Sequence, residues 1–336
     1  MKLSQKQIKD QIQSIIDNID QKRNIKEHII KLSEIGKLHG FGDDNNVRCK
    51  AYQILLGISD EDINQPFAYT KNEDFEDGDY FKQILRDCSG SFKLLDVCLD
   101  QDEEQMKKLI LIVSKLFQEN TSYQYYRGYE NFCSIFLWNF DALQVEIDKS
   151  VSIQVNNIFK IIKQEDQQVA QIFSVTHFLA FCVGWVLTWF AFNIRKNKDL
   201  LRIYDFLISS PPENVVILGV AFILGTKDIL KEHIQESQEG GEIGVLYGIY
   251  QNIWQVDYDL EHIISVAMQL YKKQVFTPQM RSEYSQESII HQNVHTRLIP
   301  IRKYLFRRDY KKIKHMLILA ILIIIISYTI QTFFNE

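Results

Sequence analysis

Residues 123–132, with the sequence YQYYRGYENF, place four tyrosines around a single cation, Arg127. The segment lies between an apolar run that ends in Phe117 and another that opens at Phe132. A guanidinium group is permanently charged and carries five N–H donors but no acceptor. The simplest chemistry for Arg127 is therefore an ion pair with a carboxylate, for which the neighbouring Glu130 is one candidate.

Motifs of the common catalytic classes do not occur in the sequence. It contains no GxxxxGK[ST], GxGxxG, HExxH or GxSxG, so phosphate-loop, dinucleotide, zinc-protease and hydrolase functions have no support. His291 and His295 have the i,i+4 spacing of a two-ligand helical metal site, but no third ligand is near them in the sequence. The five cysteines form no CxxC pair. We predict neither a metal site nor a cofactor.

The composition favours long helices. Hydrophobic residues make up 46% of the 336 residues, whereas glycine and proline number only 14 and 5. Such a chain has enough apolar side chains for a substantial core and few residues that break helices. We predict an all-α protein.

Apolar spacing predicts where these helices lie. Isoleucines at positions 8, 12, 15, 16 and 19 share one helical face, and Ile25, Ile29 and Leu32 continue the pattern. Helical periodicity returns in 80–99, 104–118, 132–148 and 151–163. The apolar runs 178–192 and 215–225 are shorter than a bilayer requires, so we predict buried core helices for both.

Near the C-terminus a strongly basic segment is followed by a long apolar stretch. Residues 302–314 carry a net charge of +6, and the remainder carries −11. The apolar stretch from Met316 to Phe334 follows directly, and its nineteen residues would span about 28 Å as a helix. We predict a single transmembrane helix whose basic collar, residues 302–314, contacts anionic lipid head groups rather than nucleic acid. The N-terminal bulk is then expected in the cytosol or the mitochondrial matrix.

Three blocks resemble the TBC domain, the all-helical fold of GTPase-activating proteins for Rab GTPases. VRCKAYQILLGI (47–58) and QILRDCSGSF (83–92) are similar to the first two family blocks, and the tyrosine-rich segment is similar to Tyr-x-Gln-Gly-Tyr. WVLTWFAFNI (185–194) and LLRIYDFLISSPP (200–212) resemble later helices of a subfamily that is tail-anchored in the endoplasmic reticulum. The residues that carry the resemblance are Arg48, Tyr52, Leu55, Leu56, Gly57, Ile84, Asp87, Ser91, Phe92, Tyr125, Gly128 and Tyr129.

The family's two catalytic positions are substituted. The resemblance implies an arginine in the second block, which enters the Rab active site, and a glutamine in the third, which orients the attacking water. Here these positions hold Gly90 and Arg127. Arg127 or Arg86 could supply the missing charge only from a backbone position other than that of the family arginine. The substitutions favour a catalytically degenerate protein.

The resemblance and the hydropathy together predict a domain order and a function. We expect N-terminal amphipathic helices (1–46), a TBC-like helical domain (47–271), a polar then basic linker (272–315) and a transmembrane helix (316–334). The expected function is a binding or structural subunit on an organelle membrane, with partners among membrane proteins or small GTPases. The alternative is a tail-anchored Rab GTPase-activating protein with displaced catalytic residues. The resemblance favours the endoplasmic reticulum or Golgi, and the mitochondrion is the alternative. The predicted partner-binding residues are Asp87, Tyr125, Arg127, Tyr129 and Asn131.

Overall fold

The computed structural model describes residues 3–58, 80–91, 102–119, 125–140, 151–172, 175–229 and 257–280. These ranges contain helices and no strand, so the all-α prediction is confirmed there. In chain order the helices are α1 (Gln5–Asp20), α2 (Ile25–His39), α3 (Asn45–Leu56), α4 (Phe81–Ser91), α5 (Asp102–Glu119), α6 (Tyr129–Phe140), α7 (Val151–Glu165), α8 (Gln167–Ile172), α9 (Val175–Thr188), α10 (Asn197–Ile208), α11 (Asn214–Gly225) and α12 (Leu260–Lys272).

Side chains at the helix starts explain several of these boundaries. Ser4 and Gln7 form a reciprocal capping box at the N-terminus of α1. Asp44 and Asp259 accept hydrogen bonds from the first free amides of α3 and α12. Gly57, with a left-handed φ of 71°, ends α3. The LLG sequence of the first block therefore closes a helix.

The core is centred on α11. Every residue from Asn214 to Ile223 is buried, and the helix packs against α7, α9 and α12. This confirms the predicted buried helix at 215–225. A second group, α4, α5 and α6, packs together at one side and joins the rest through contacts of α6 with α3 and α9.

The N-terminal pair packs as the isoleucine spacing predicts, with one exception. Ile8, Ile12, Ile15 and Ile16 are buried, and they belong to the same hydrophobic cluster as the later helices. Ile25 was predicted on the apolar face, but it is 39% exposed because it is the first residue of α2 and lies at its open end. The cluster runs continuously across the 46/47 position at which we divide the sequence.

The predicted helix at 178–192 ends early. Helix α9 stops at Thr188, because Trp189 and Phe190 adopt left-handed φ values of 47° and 70°. The backbone N–H of Phe190 donates to Trp185 O at 3.0 Å, and that of Phe192 donates to Thr188 Oγ1 at 3.1 Å. These bonds compensate the amides released by the turn.

Helix α10 is tied to the N-terminal region by a buried polar cluster around Asp205. Its Oδ1 accepts from Arg48 Nε at 3.0 Å and from the Tyr52 hydroxyl at 2.7 Å. Its Oδ2 accepts from the Phe41 backbone N–H at 2.8 Å. Arg48 also donates to Asn45 and to the Gly42 carbonyl. Arg48 and Tyr52 of the first block thus hold α3 against α10.

Close backbone packing reinforces the contact between α2 and α10. A Cβ placed on Gly36 would lie 2.6 Å from Phe41 Cζ and 2.9 Å from Ser209 Cβ, closer than side chains approach. The Ser33 hydroxyl donates to the Ser209 carbonyl at 2.7 Å beside it. Only glycine at position 36 permits this approach.

No helix in the seven described ranges has both the length and the apolarity to cross a bilayer. The predicted span from Met316 to Phe334, the basic collar at 302–314, and His291 and His295 all lie outside those ranges.

We expect Arg48→Met to destabilise the fold by about 3–5 kcal/mol, because it removes the ion-pair partner of the Asp205 carboxylate, which is 1% exposed. The free energy of unfolding from urea denaturation measures the effect. The double variant Arg48→Met/Asp205→Leu should lose less than the sum of the two single changes, since the residues are directly paired.

Lys9→Met is the matched control, because it breaks the exposed pair with Asp44 and should leave the free energy of unfolding almost unchanged. Additive losses in the double variant would contradict the ion-pair assignment.

Candidate functional site

Helix α4 carries the predicted residues of the second block. Ile84 and Cys88 are buried, whereas Lys82, Leu85, Arg86 and Ser89 face solvent. Asp87 lies between the two faces, with 14% of its side chain exposed. Gly90 falls in the last turn of this helix. The helical period thus places Asp87 at the border between the core and the surface.

The Arg127 loop, residues 125–128, leads directly into α6. Gly128 has a φ of +103°, a backbone conformation that glycine adopts without strain. A Cβ at this position would lie 3.0 Å from Thr188 Cγ2 at the end of α9. The Tyr126 hydroxyl donates to the Leu187 carbonyl at 3.0 Å. The loop is therefore fixed against the C-terminus of α9.

A polar cluster lies beneath the loop. The Tyr125 hydroxyl oxygen is 3.1 Å from Asp87 Oδ2 and 2.9 Å from Glu130 Oε2. Glu130 Oε2 also accepts the Gly128 backbone N–H at 2.8 Å, and Oε1 accepts from Asn131 Nδ2 at 2.9 Å. The cluster connects the loop, α4 and α6 through one tyrosine hydroxyl.

Burial dominates the electrostatics of this cluster. Glu130 is only 2% exposed, and burial raises its pKa, although the donors from Tyr125 and Gly128 oppose the rise. Burial also raises the pKa of the Cys88 thiol, with the nearby Glu130 charge acting in the same direction. The thiol is therefore kept protonated, which argues against a nucleophilic role for Cys88.

Arg127 itself points to solvent. Its side chain is 78% exposed, and its Nε lies 3.9 Å from Asp87 Oδ1. The sequence suggested Glu130 as its partner, and this was wrong, because the Glu130 carboxylate turns inward to Tyr125 and Gly128. An exposed pair at this distance contributes little stability. The guanidinium is available to an external group.

The structure separates the predicted partner-binding residues into two layers. Asp87, Tyr125 and Arg127 converge, as the resemblance implies. Tyr129 is fully buried and Asn131 is 4% exposed, so both support the loop from below. Phe117 packs edge-on against the rings of Tyr125 and Tyr129, at 5.4 and 5.2 Å between ring centroids. Direct contact of Tyr129 or Asn131 with a partner stays a prediction.

Sequence reasoning missed three residues on which the site depends. Glu130 was considered only as a surface partner for Arg127, and Tyr126 and Asp205 were not singled out. Asp205 had a detectable signal, since it is the single acid in the mainly apolar segment LLRIYDFLI (200–208). Its burial raises its pKa, with the charge of Arg48 and the donors from Phe41 and Tyr52 opposing the rise. Tyr126 had no distinguishing signal among four tyrosines.

We expect adjacent positions of the loop to differ in their tolerance of alanine. Arg127→Ala should change the free energy of unfolding by less than about 0.5 kcal/mol, because the side chain is exposed. Gly128→Ala should cost about 1–3 kcal/mol, because of its positive φ and the nearby Thr188 methyl. Urea denaturation of both variants tests the contrast, and equal losses would show that the loop is not fixed as described.

Comparison with known proteins gives distant relatives. The chain is 25% identical over 251 residues to the GTPase-activating protein gyp10 of Schizosaccharomyces pombe, which covers 68% of this chain and 63% of the relative. It is 21% identical over 201 residues to TBC1 domain family member 20 of Homo sapiens, which covers 54% of this chain and 49% of the relative. The chain thus aligns with about half to two thirds of each relative's length. No family model matches the chain.

A solved structure supports the architecture. The crystal structure of the Chlamydomonas flagellar RabGAP TBC domain superposes with a TM-score of 0.54 and 14% identity, covering 78% of this chain and 96% of that domain. At this identity the likeness concerns the fold. The chain therefore has an all-helical, TBC-like fold. One of the similar sequences is named as a GTPase-activating protein.

Proposed function

We propose that this protein is a catalytically inactive TBC-fold binding subunit of an organelle membrane. The observation that carries the proposal is the pair of residues at the family's catalytic positions, Gly90 in the last turn of α4 and the exposed Arg127 before α6. Glycine has no side chain to offer to a phosphate. A catalytic arginine of this kind accelerates GTP hydrolysis by about 10³–10⁵-fold, so its loss removes useful activation.

Arg127 is a poor substitute for the glutamine as well. An amide orients water because it can both donate and accept, whereas guanidinium only donates. Arg127 lies on the loop and not on α4, where the family places its arginine. A bound nucleotide would therefore have to lie in a different orientation for its phosphate to contact Arg127. Its exposed charge suits recognition better than water activation.

The partner in this proposal is a membrane protein or a small GTPase. Two relatives are named GTPase-activating protein and RabGAP, which supports a small GTPase as one partner class. Asp87 of α4 and Tyr125 of the Arg127 loop, which match the family blocks, are in mutual contact. A structural subunit would bind its partner without regard to the bound nucleotide.

A second candidate function is Rab GTPase activation through Arg127. The 78% exposure of the side chain favours it, because the weak pair with Asp87 leaves the guanidinium able to reach an adjacent nucleotide. Arg86 is also exposed, on the outer face of α4. Activity by this route would depend entirely on one of these two arginines.

The sequence of the C-terminal region supports the part of the proposal that concerns membrane attachment. The basic collar at 302–314 and the apolar stretch 316–334 have the order expected of a membrane-spanning anchor. The collar would bind anionic head groups on the side that holds the helical domain. The endoplasmic reticulum and the mitochondrion both supply such a surface.

We expect the full chain to leave GTP hydrolysis by a panel of purified Rab GTPases unchanged in single-turnover assays, because Gly90 supplies no cation. Stimulation of about a hundredfold or more that disappears in Arg127→Ala would establish the second candidate function instead. Arg23→Ala serves as the matched control, since this arginine is also exposed and lies between α1 and α2, outside both α4 and the Arg127 loop.

Nucleotide dependence of binding gives an independent readout. Small GTPases differ between their GTP and GDP states in the switch loops, so an activator must prefer one state. We expect a complex isolated in mild detergent to keep its composition whichever nucleotide is present. Preferential recovery of the GTP-bound form, lost in Tyr125→Ala, would contradict the structural role.

We expect Ile324→Arg to weaken membrane insertion, because a charge near the middle of a spanning helix costs about 2.5–3.5 kcal/mol. Extraction with alkaline carbonate measures the effect, and Ile301→Arg, before the apolar stretch, is the matched control. If the unmodified chain is released as readily as Ile324→Arg, the spanning segment is assigned wrongly.

A further inference from the structure

We propose that the end of the helical domain at which α7, α11 and α12 terminate is a docking surface for an anionic lipid bilayer. This surface, the basic end, is defined by four lysines: Lys163 of α7, Lys227 after α11, Lys272 of α12 and Lys273 after it. The inference rests on the membrane attachment proposed above, and it adds which face of the domain meets the lipid. Neither the resemblance nor the relatives' names assign a role to these lysines.

Two ion pairs bring the three helix ends together. Helix α11 packs against both α7 and α12. Lys273 Nζ lies 2.8 Å from Glu165 Oε2, which joins the end of α12 to the last residue of α7. Lys227 Nζ lies 3.4 Å from Asp166 Oδ2, which joins the segment after α11 to the residue that follows α7. Since the other two lysines occupy the last turns of α7 and α12, all four lie around this end.

The lysines of the basic end are more exposed than the acids paired with them. The two paired lysine side chains are 61% and 40% exposed, whereas their carboxylate partners are 21% and 20% exposed. Lys163 and Lys272 are exposed as well, and they form no ion pair within the described part of the chain. Asp228, beside Lys227, is an exposed acid. Four lysines thus face solvent here against this one fully exposed carboxylate.

Helix α12 carries charges of opposite sign at its two ends. Asp257, Asp259 and Glu261 lie at its start, and Lys272 and Lys273 lie at its end. Its 13 residues span about 20 Å, which exceeds the Debye length of about 8 Å at physiological ionic strength. A negatively charged surface that contacts the lysines is therefore largely screened from the acids. The charges orient α12 with its C-terminus toward an anionic membrane.

The chain also leaves the described domain close to the basic end. Met280 is the last described residue, and it follows Lys272 by only a short segment in which Val275 and Phe276 are buried in the core. Residues 281–301 then lead to the basic collar at 302–314. The collar and the basic end are thus consecutive along the chain, and both suit anionic head groups. Attachment through this exit brings the lysines to the lipid without requiring the domain to turn over.

Lipid composition separates docking from a purely structural role of these lysines. A cation in the last turn stabilises its own helix through the macrodipole, and this effect requires no lipid. A lysine near an anionic membrane surface gains about fivefold in association, and salt screens the attraction. Only docking therefore makes the surroundings of the lysines depend on the lipid charge.

The experiment uses the full chain in vesicles of phosphatidylcholine, with or without phosphatidylglycerol. Acetylation of amines followed by mass spectrometry gives the reactivity of each lysine. We expect Lys272 and Lys273 to react about fivefold more slowly in the anionic vesicles, and the difference to disappear at high salt. Lys9 on α1 is the matched internal control, because its side chain is 55% exposed and also ion-paired, so its reactivity should be the same in both lipids. Equal reactivity of Lys272 and Lys273 in the two lipids would overturn the proposal.

A double variant tests whether the lysines themselves hold the domain to the lipid. Lys163→Gln/Lys272→Gln breaks no ion pair of the described residues, and Lys273 should then react in anionic vesicles as it does in neutral ones. Lys6→Gln/Lys31→Gln, on α1 and α2, removes the same net charge and should leave Lys273 protected. Equal protection of Lys273 in both double variants would refute docking through the basic end. If the first double variant does not fold, Lys272→Gln alone gives the same test with a smaller loss of protection.

The same vesicles distinguish this inference from the attachment on which it rests. If alkaline carbonate releases the chain from neutral vesicles, the attachment is overturned and the docking surface with it. If the chain is retained there but its lysines react equally in both lipids, docking alone is overturned. Retention together with slower reaction in anionic vesicles supports both.

Discussion

The ion pair between Arg48 and Asp205 is the constraint on which the arrangement of the helices depends. Asp205 receives donors from α3 and from the segment before it, and it is almost completely buried. A carboxylate in such a place is unfavourable unless its partners are all present. Helices α3 and α10 can therefore pack in only one register, which makes the pair a source of specificity more than of stability.

Helix α10 also connects the ion pair to the Arg127 loop. Tyr204, next to Asp205, donates its hydroxyl to the Thr188 carbonyl at 3.2 Å, at the end of α9. Tyr126 of the loop donates to the preceding carbonyl, that of Leu187. Both tyrosines thus bind carbonyls in the last turn of α9. The early end of α9 at Trp189 gives the loop and α10 a shared point of attachment.

Hydrophobic periodicity predicted the helices whose positions depend on the burial of apolar side chains. It missed the features that depend on hydrogen bonds and other tertiary contacts. The isoleucine face of α1 and the apolar α11 were predicted because hydrophobic spacing and burial have the same cause. The end of α9 was not, since WVLTWFAF has no glycine or proline and its left-handed residues are held by tertiary contacts. The proximity of Asp87, Tyr125 and Arg127 was expected only because their blocks resemble the TBC family. The inward turn of Glu130 could not be predicted, because it depends on how the folded loop presents the Tyr125 hydroxyl and the Gly128 N–H to this carboxylate.

The exposure of Arg127 has a consequence for how such a protein can change over generations. Its side chain contributes little to the packing that holds the fold, whereas the glycine beside it is fixed by its backbone conformation and by the end of α9. Substitution at position 127 therefore costs almost no stability, so selection at this position is hardly constrained by the fold. A protein built in this way can lose a chemical activity in a single step and keep its shape. The scaffold is then available for a new partner without first having to be repaired.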